Sequence, residues 1–272
     1  MTATPSSSLA ELLRGGPYQS YTYGYPHKTA YRSFDRAIPL RDIWADEPKS
    51  SLFLYVHLPF CEMRCGFCNL FTTANAKEDR IQAYLAALKR EMIATREEIG
   101  PVQVAQMAVG GGTPTLLGAA KLDALFSQLD EMFGASGRRS PLAIETSPLT
   151  ATADTIRLLN DWGTSRISIG VQSFDAAETK AMGRPQDGQQ VRNALDTIRH
   201  HAQAALNIDL IYGAAIQTAD SFRQSILEAL RWNPEEVYLY PLYVRRGTGL
   251  DGKSAVEDQH RQTLYRAGRD LL

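Results

Sequence analysis

Apolar and polar positions follow two alternating rhythms from residue 51 onward. Short runs of β-branched, aromatic and aliphatic residues predict strands over 52–58, 102–109, 142–145, 166–171, 205–212 and 237–243. Between them, apolar residues recur every three or four positions, the signature of helices with one buried face. Ile81, Leu85, Leu88 and Met92 place a helix over 79–99, which Gly100-Pro101 ends. Leu122, Leu125, Phe126 and Leu129 place another over 119–133. Thr152 suits the N-cap of a helix ending near Gly163. Further helices are predicted over 191–200, 221–231 and 257–272.

Six strand–helix units in a row predict an α/β fold, a parallel sheet with helices outside it. The count suits an open doubly wound sheet or a partial barrel. In either, ligands gather at the carboxyl ends of the strands. The unusual residues fall there. Three cysteines follow the first strand, Gly110-Gly111-Gly112-Thr113 the second, and Glu145 ends the third. Gln172 follows the fourth, and Tyr212-Gly213 ends the fifth.

The first fifty residues break this rhythm. Residues 1–8 are small and polar and read as disordered. Tyr18, Tyr21, Tyr23, Tyr25 and Tyr31 follow among Gly16, Pro17, Gly24 and Pro26, which predicts an irregular aromatic arm. Its rings either pack the arm onto the domain, the favoured reading, or close over a flat ligand. The organisation is thus an arm over 1–50, a core over 51–250 and the start of a C-terminal region over 251–272.

Composition narrows the partners. The 29 basic and 30 acidic residues leave a net charge of −1, which argues against nucleic acid or a membrane held by charge. No secretory leader opens the chain, and no apolar run reaches the ~18 residues of a membrane span, so a soluble cytoplasmic protein is expected. The three cysteines are an odd set, which excludes a fully paired disulfide framework. Cys61, Cys65 and Cys68 lie within eight residues as C-x3-C-x2-C, a ligand cluster in a reducing compartment. Structural zinc takes four ligands and would need a histidine such as His57. A [4Fe–4S] cluster on three thiolates keeps one iron open to a small molecule. The residues favour that cluster over zinc or three unrelated thiols.

Tyr55-Val56-His57-Leu58-Pro59-Phe60-Cys61 and the cysteine motif resemble the radical S-adenosylmethionine (SAM) superfamily. More narrowly, they are similar to the oxygen-independent coproporphyrinogen III oxidase group, which includes haem chaperones and divergent members. Gly110 to Thr115, Glu145 to Pro148, Arg166 to Ser173, Met182-Gly183-Arg184 and Asn207 to Gly213 extend the likeness in the same order. The resemblance implies a partial (β/α)6 TIM-like barrel. It implies a [4Fe–4S] cluster on Cys61, Cys65 and Cys68 whose open iron binds the methionine part of SAM. Reductive cleavage of SAM would give a deoxyadenosyl radical that abstracts hydrogen from substrate, with an electron donor such as flavodoxin or ferredoxin.

By the same resemblance Tyr55, Phe67, Gly111, Gly112, Thr113 and Glu145 contact SAM. Gln172, Arg184 and Asp209 match positions that touch adenosyl ligand in the oxidases, a second SAM included. Departures point to a divergent member. Pro185-Gln186 follows Arg184, Gly213 to Thr218 lacks the usual Leu-Pro-Gly turn, and Tyr243 replaces a small residue beside the second SAM. The chain is also short at its C-terminus beside the oxidases. Arg245-Arg246, after the sixth strand, are either substrate-carboxylate ligands or solvated charge. His200-His201 read as structural residues at a helix end. The expected function is hydrogen abstraction from a bulky substrate, with a tetrapyrrole as candidate. The alternative is a haem-binding or haem-trafficking protein that keeps the cluster with little turnover.

Overall fold

The computed structural model describes residues 18, 31–253 and 256–272. The predicted disorder over 1–8 and Tyr21, Tyr23 and Tyr25 lie outside the described residues. Six parallel strands form one sheet: β1 (Leu52–Leu58), β4 (Val104–Gly111), β5 (Leu142–Thr146), β6 (Arg166–Gln172), β7 (Ala205–Tyr212) and β8 (Glu236–Pro241). Their spatial order is their order in the chain. A doubly wound sheet would reverse direction at a switch point, so this sequential order decides for the partial barrel.

Helices return the chain between strands: α2 (Glu78–Ile99), α3 (Gly118–Phe133), α4 (Ala153–Asp161), α6 (Gly188–His201) and α7 (Ala219–Leu230), with α8 (Asp258–Arg269) after β8. Each buries the face its periodicity marks. On α3 these residues are Leu122, Leu125, Phe126 and Leu129, with Phe133. Thr152 caps α4, its hydroxyl accepting from the Thr155 amide at 3.3 Å. Strand alternation does the rest. Val56 and Leu58, Ile167 and Ile169, and Leu206, Ile208 and Leu210 join the core under the helices. The opposite face of the strands carries a polar layer. There Arg166 donates to Glu236 at 2.6 Å and to Ser168 at 2.6 Å, and Asn207 donates to Asp209 at 2.7 Å.

Several elements differ from the predicted ones. β4 runs on through Gly110 and Gly111, which pair with His57 and Leu58 of β1. Glycine's weak strand preference hides this extension. β5 runs one residue past Glu145, and β8 ends at Pro241, short of the predicted 243. Two-residue strands β2 (Phe60–Cys61) and β3 (Thr73–Ala74) pair in parallel and clip the cysteine loop at its base. Short helices α1 (Leu40–Ile43) and α5 (Ala176–Ala181) also form. None of these four is long enough to show a period. Among the described residues no helix is long and apolar enough to cross a membrane.

Tyr18 is the described ring of the arm that meets the barrel. It packs edge-on against Tyr212, with centroids 6.2 Å apart, and lies 5.4 Å from the Arg261 guanidinium carbon. At Tyr18 the arm therefore packs onto the domain.

Candidate active site

A cavity of about 410 Å3 opens at the carboxyl ends of the strands. Cys61, Cys65, Cys68, Phe67, Gly111, Gly112, Thr113, Glu145, Gln172, Arg184 and Asp209 all line it. These are eleven of the twelve site residues predicted from sequence. Tyr55 does not line the cavity. Its phenol meets His57 Nδ1 at 3.1 Å on the inner face of β1, where burial and the Glu145 charge raise its pKa.

The cysteines are free thiols, each half-buried. Cys61 is carried by β2, and burial pushes its thiol up to about 11. An iron centre must therefore displace a proton there. The loop behind it is fixed by backbone bonds. Gly66 N–H donates to Gly183 O at 3.1 Å, and Leu250 N–H donates to Gly66 O at 2.9 Å. The fit needs glycine, since a Cβ on Gly66 would stand 2.7 Å from Met182 O. Arg184 donates to Cys65 Sγ at 3.0 Å and to Gly170 O at 3.1 Å. Hydrogen bonds to thiolate sulfur are one way proteins tune iron–sulfur centres.

The glycine run clears space rather than simply turning the chain. A Cβ on Gly110 would meet the Glu145 carboxyl at 3.2 Å, and one on Gly111 the His57 ring at 2.6 Å. Gly111 also has φ +114, a conformation open to glycine. Its N–H donates to Glu145 Oε2 at 3.3 Å. Glu145 lines this concave space, and desolvation by the surrounding protein raises its carboxyl pKa. Asp209 rises further, to about 6, mainly by burial, against the lowering effect of the Asn207 bond. Phe67 packs on a small apolar cluster of Met182, Ile211, Ala214, Leu242 and Leu250 beside the cavity.

Some lining residues were not singled out in the sequence. Ser147, Ser168 and Tyr240 belong to this group. The available signal was period two, for Ser168 precedes Gly170 on the same face of β6. Tyr243 lines the wall as well, whereas Arg245 and Arg246 do not. His57 is not a spare zinc ligand, because its Nε2 lies 3.1 Å from Phe71 O while Nδ1 meets Tyr55. Among the described residues no three His, Cys, Asp or Glu groups are arranged to hold a single metal ion. Three thiols, a guanidinium donor, two carboxylates and a glycine-cleared floor make a donor set that fits an iron–sulfur cluster with a cationic ligand beside it.

A family model for the radical SAM superfamily matches residues 55–228. The chain belongs to the radical SAM superfamily. Membership implies a [4Fe–4S] cluster and SAM, and the thiols and cavity described above lie within or beside the matched span. Among curated relatives, the oxygen-independent coproporphyrinogen III oxidase of Pseudomonas aeruginosa is 34% identical over 230 residues, covering 84% of this chain and 50% of that protein. The same-named protein of Escherichia coli is 31% identical over 229 residues, covering 82% and 50%. The solved E. coli coproporphyrinogen III oxidase superposes with a TM-score of 0.78 at 27% identity, over 85% of this chain and 54% of that one. Streptococcus suis SuiB, at 15% identity and a TM-score of 0.55, shares the fold. The chain spans about half the length of the curated relatives it matches.

Proposed function

We propose that this radical SAM protein cleaves SAM reductively and abstracts hydrogen from a bulky substrate, with a tetrapyrrole as the leading candidate. The observation that carries the reading is convergence. Residues from five strand ends and the cysteine loop, spread from Cys61 to Tyr243, face one cavity. The relatives named for coproporphyrinogen III oxidation support the substrate class. When bound, the cluster supplies one electron for breaking the C5′–S bond of SAM, with flavodoxin or ferredoxin as the proposed source.

The chain's own residues do the positioning. Cys61, Cys65 and Cys68 hold the cluster, with Arg184 beside the Cys65 sulfur. Glu145 and Asp209 face the positive charge of SAM, while Gly111 and Gly112 let it approach the backbone. Phe67 and the apolar cluster beneath it keep water from the reacting atoms.

Two measurements test this. Anaerobically reconstituted protein given dithionite and SAM releases 5′-deoxyadenosine, and a porphyrinogen changes its rate or product. No deoxyadenosine from a cluster-loaded chain overturns the reading, and tight haem uptake without SAM-dependent product would favour haem trafficking instead. SAM affinity also depends on pH. Asp209 is faced by Glu145, Arg166, Glu236 and Asn207, and its carboxyl titrates at about 6. Above that pH it is charged and attracts the cation; below it the attraction is lost. Calorimetric titration between about pH 5 and pH 8 should show SAM binding several-fold tighter at the upper end. A flat profile would remove Asp209 from the SAM site.

A further inference from the structure

Gln172 has a backbone conformation its residue type disfavours. Its φ is +67, in the left-handed region that a non-glycine residue enters at a cost. It sits at a bulge, where the β6–β7 register shifts between Gly170 and Gln172. The side chain folds back over Gly170, where an added Cβ would stand 2.7 Å from its Nε2, and it lines the cavity. An ordinary extended residue at 172 would send this side chain elsewhere.

The surrounding bonds converge on that residue. Gln186 uses its amide to donate to Val171 O at 2.6 Å and to Ser173 O at 3.0 Å, the two carbonyls that flank Gln172. Ser173 N–H donates to Val171 O at 2.8 Å and tightens the same turn. The Ser173 hydroxyl donates to Glu178 Oε2 at 2.6 Å. Glu178 is 2% exposed and also accepts from Gln217 at 2.9 Å and from the Ser221 hydroxyl. Gln217 in turn takes the Gly213 amide at 2.8 Å, in the segment after β7 that departs from the oxidase pattern. A buried carboxylate held by three neutral donors is expensive to desolvate, and here it ties the ends of β6 and β7 together.

We infer that Gln186 and Glu178 are positioning residues that, through Ser173, hold Gln172 in its left-handed turn with its side chain directed into the cavity. The inference rests on reading that cavity as the SAM site. Neither residue lines the cavity, so their effect passes through the backbone at 172.

A double-substitution cycle separates this role from ordinary packing. SAM affinity is measured by calorimetry on cluster-loaded protein. Amide exchange at Ser173 and Phe174 is measured with no SAM present. Gln186→Ala should weaken SAM about tenfold, the scale of one lost hydrogen bond or a strained turn released. It should also speed exchange at both amides. In a Gln172→Gly background, where glycine takes φ +67 freely, the same change should alter SAM affinity less than about twofold. An equal loss in both backgrounds, or no loss in either, overturns the inference. Should Gln186→Ala not fold, Glu178→Gln takes its place in the same cycle with the same expected pattern. If the unaltered protein binds no SAM, the reading of the cavity fails. Exchange in the SAM-free protein then still decides whether Gln186 holds the turn.

Discussion

Alanine at any one of Cys61, Cys65 or Cys68 leaves a folded protein that no longer retains its cluster, seen as loss of visible absorbance and of bound iron after anaerobic reconstitution. The chain has three cysteines, so no fourth thiol can stand in for a missing one. His57 cannot replace it either, since both of its ring nitrogens are engaged. Deoxyadenosine production should fall to background with the iron. The fold should survive because backbone bonds hold the cysteine segment. Thr73 N–H donates to Pro59 O at 2.6 Å and Asn75 N–H donates to Cys61 O at 3.0 Å, and neither involves sulfur. None of the three thiols belongs to the hydrophobic core. Stability of the iron-free protein should therefore change by less than about 1 kcal/mol, measured by chemical denaturation. Wild-type iron in any single variant would sink the three-thiolate assignment.

Gly112→Ala should be the most damaging glycine substitution at the site. The added Cβ would stand 2.5 Å from Phe60 O and 2.9 Å from Phe60 N and C. These are backbone atoms of a buried residue, so no side-chain rotation relieves the clash. The backbone there is held on both sides: Gly112 N–H donates to Leu58 O at 2.8 Å and Thr113 N–H to Phe60 O at 2.7 Å. Relief must shift β2, which carries Cys61, or the end of β1. The expected cost is about 3 kcal/mol, at the upper end for overpacking, with loss of cluster retention. Gly118→Ala is the control. Gly118 has φ +72, but a Cβ there would find nothing within 4 Å. Only the conformational cost then applies, about 1–3 kcal/mol because φ +72 with ψ 167 is a backbone region nearly confined to glycine, and the cluster stays. Loss of the cluster at both positions, or at neither, would show that the Phe60 contact is not what demands glycine at 112.

Most of the barrel was legible in the residues. The predicted strands and helices lie within a few positions of the observed ones because amphipathic period is a local property. The exceptions share one cause. β2, β3, α1 and α5 are too short to carry a period, and the glycines at the end of β4 look like a turn until the side chains they admit are in view. The site was legible to a similar depth. Cysteine spacing, Glu145 at a strand end and the glycine run stand out locally, whereas Ser168 and Tyr240 look ordinary until two strands are set side by side.

Tyr55 is a residue that the motif singles out in the sequence. Its place in the motif matches a SAM contact, and its phenol meets His57 Nδ1 on the inner face of β1. Gln186 marks the opposite case. In the sequence it is an oddity after Arg184, while in the fold it bridges the carbonyls on both sides of Gln172.

By itself, the sequence determined the thiol count and spacing and the alternation of strand and helix, and so an α/β fold with its unusual residues at strand ends. Those properties depend on covalent order and on periods a few residues long. Only the tertiary structure decided which side chains share the cavity. Arg184 reaches Cys65 across 119 positions, and Glu178 meets Gln217 across 39. Such pairs form because winding the six strands in order brings their carboxyl ends to one rim. That closure is driven by burying the apolar faces of strands and helices together, a long-range effect that no local pattern encodes.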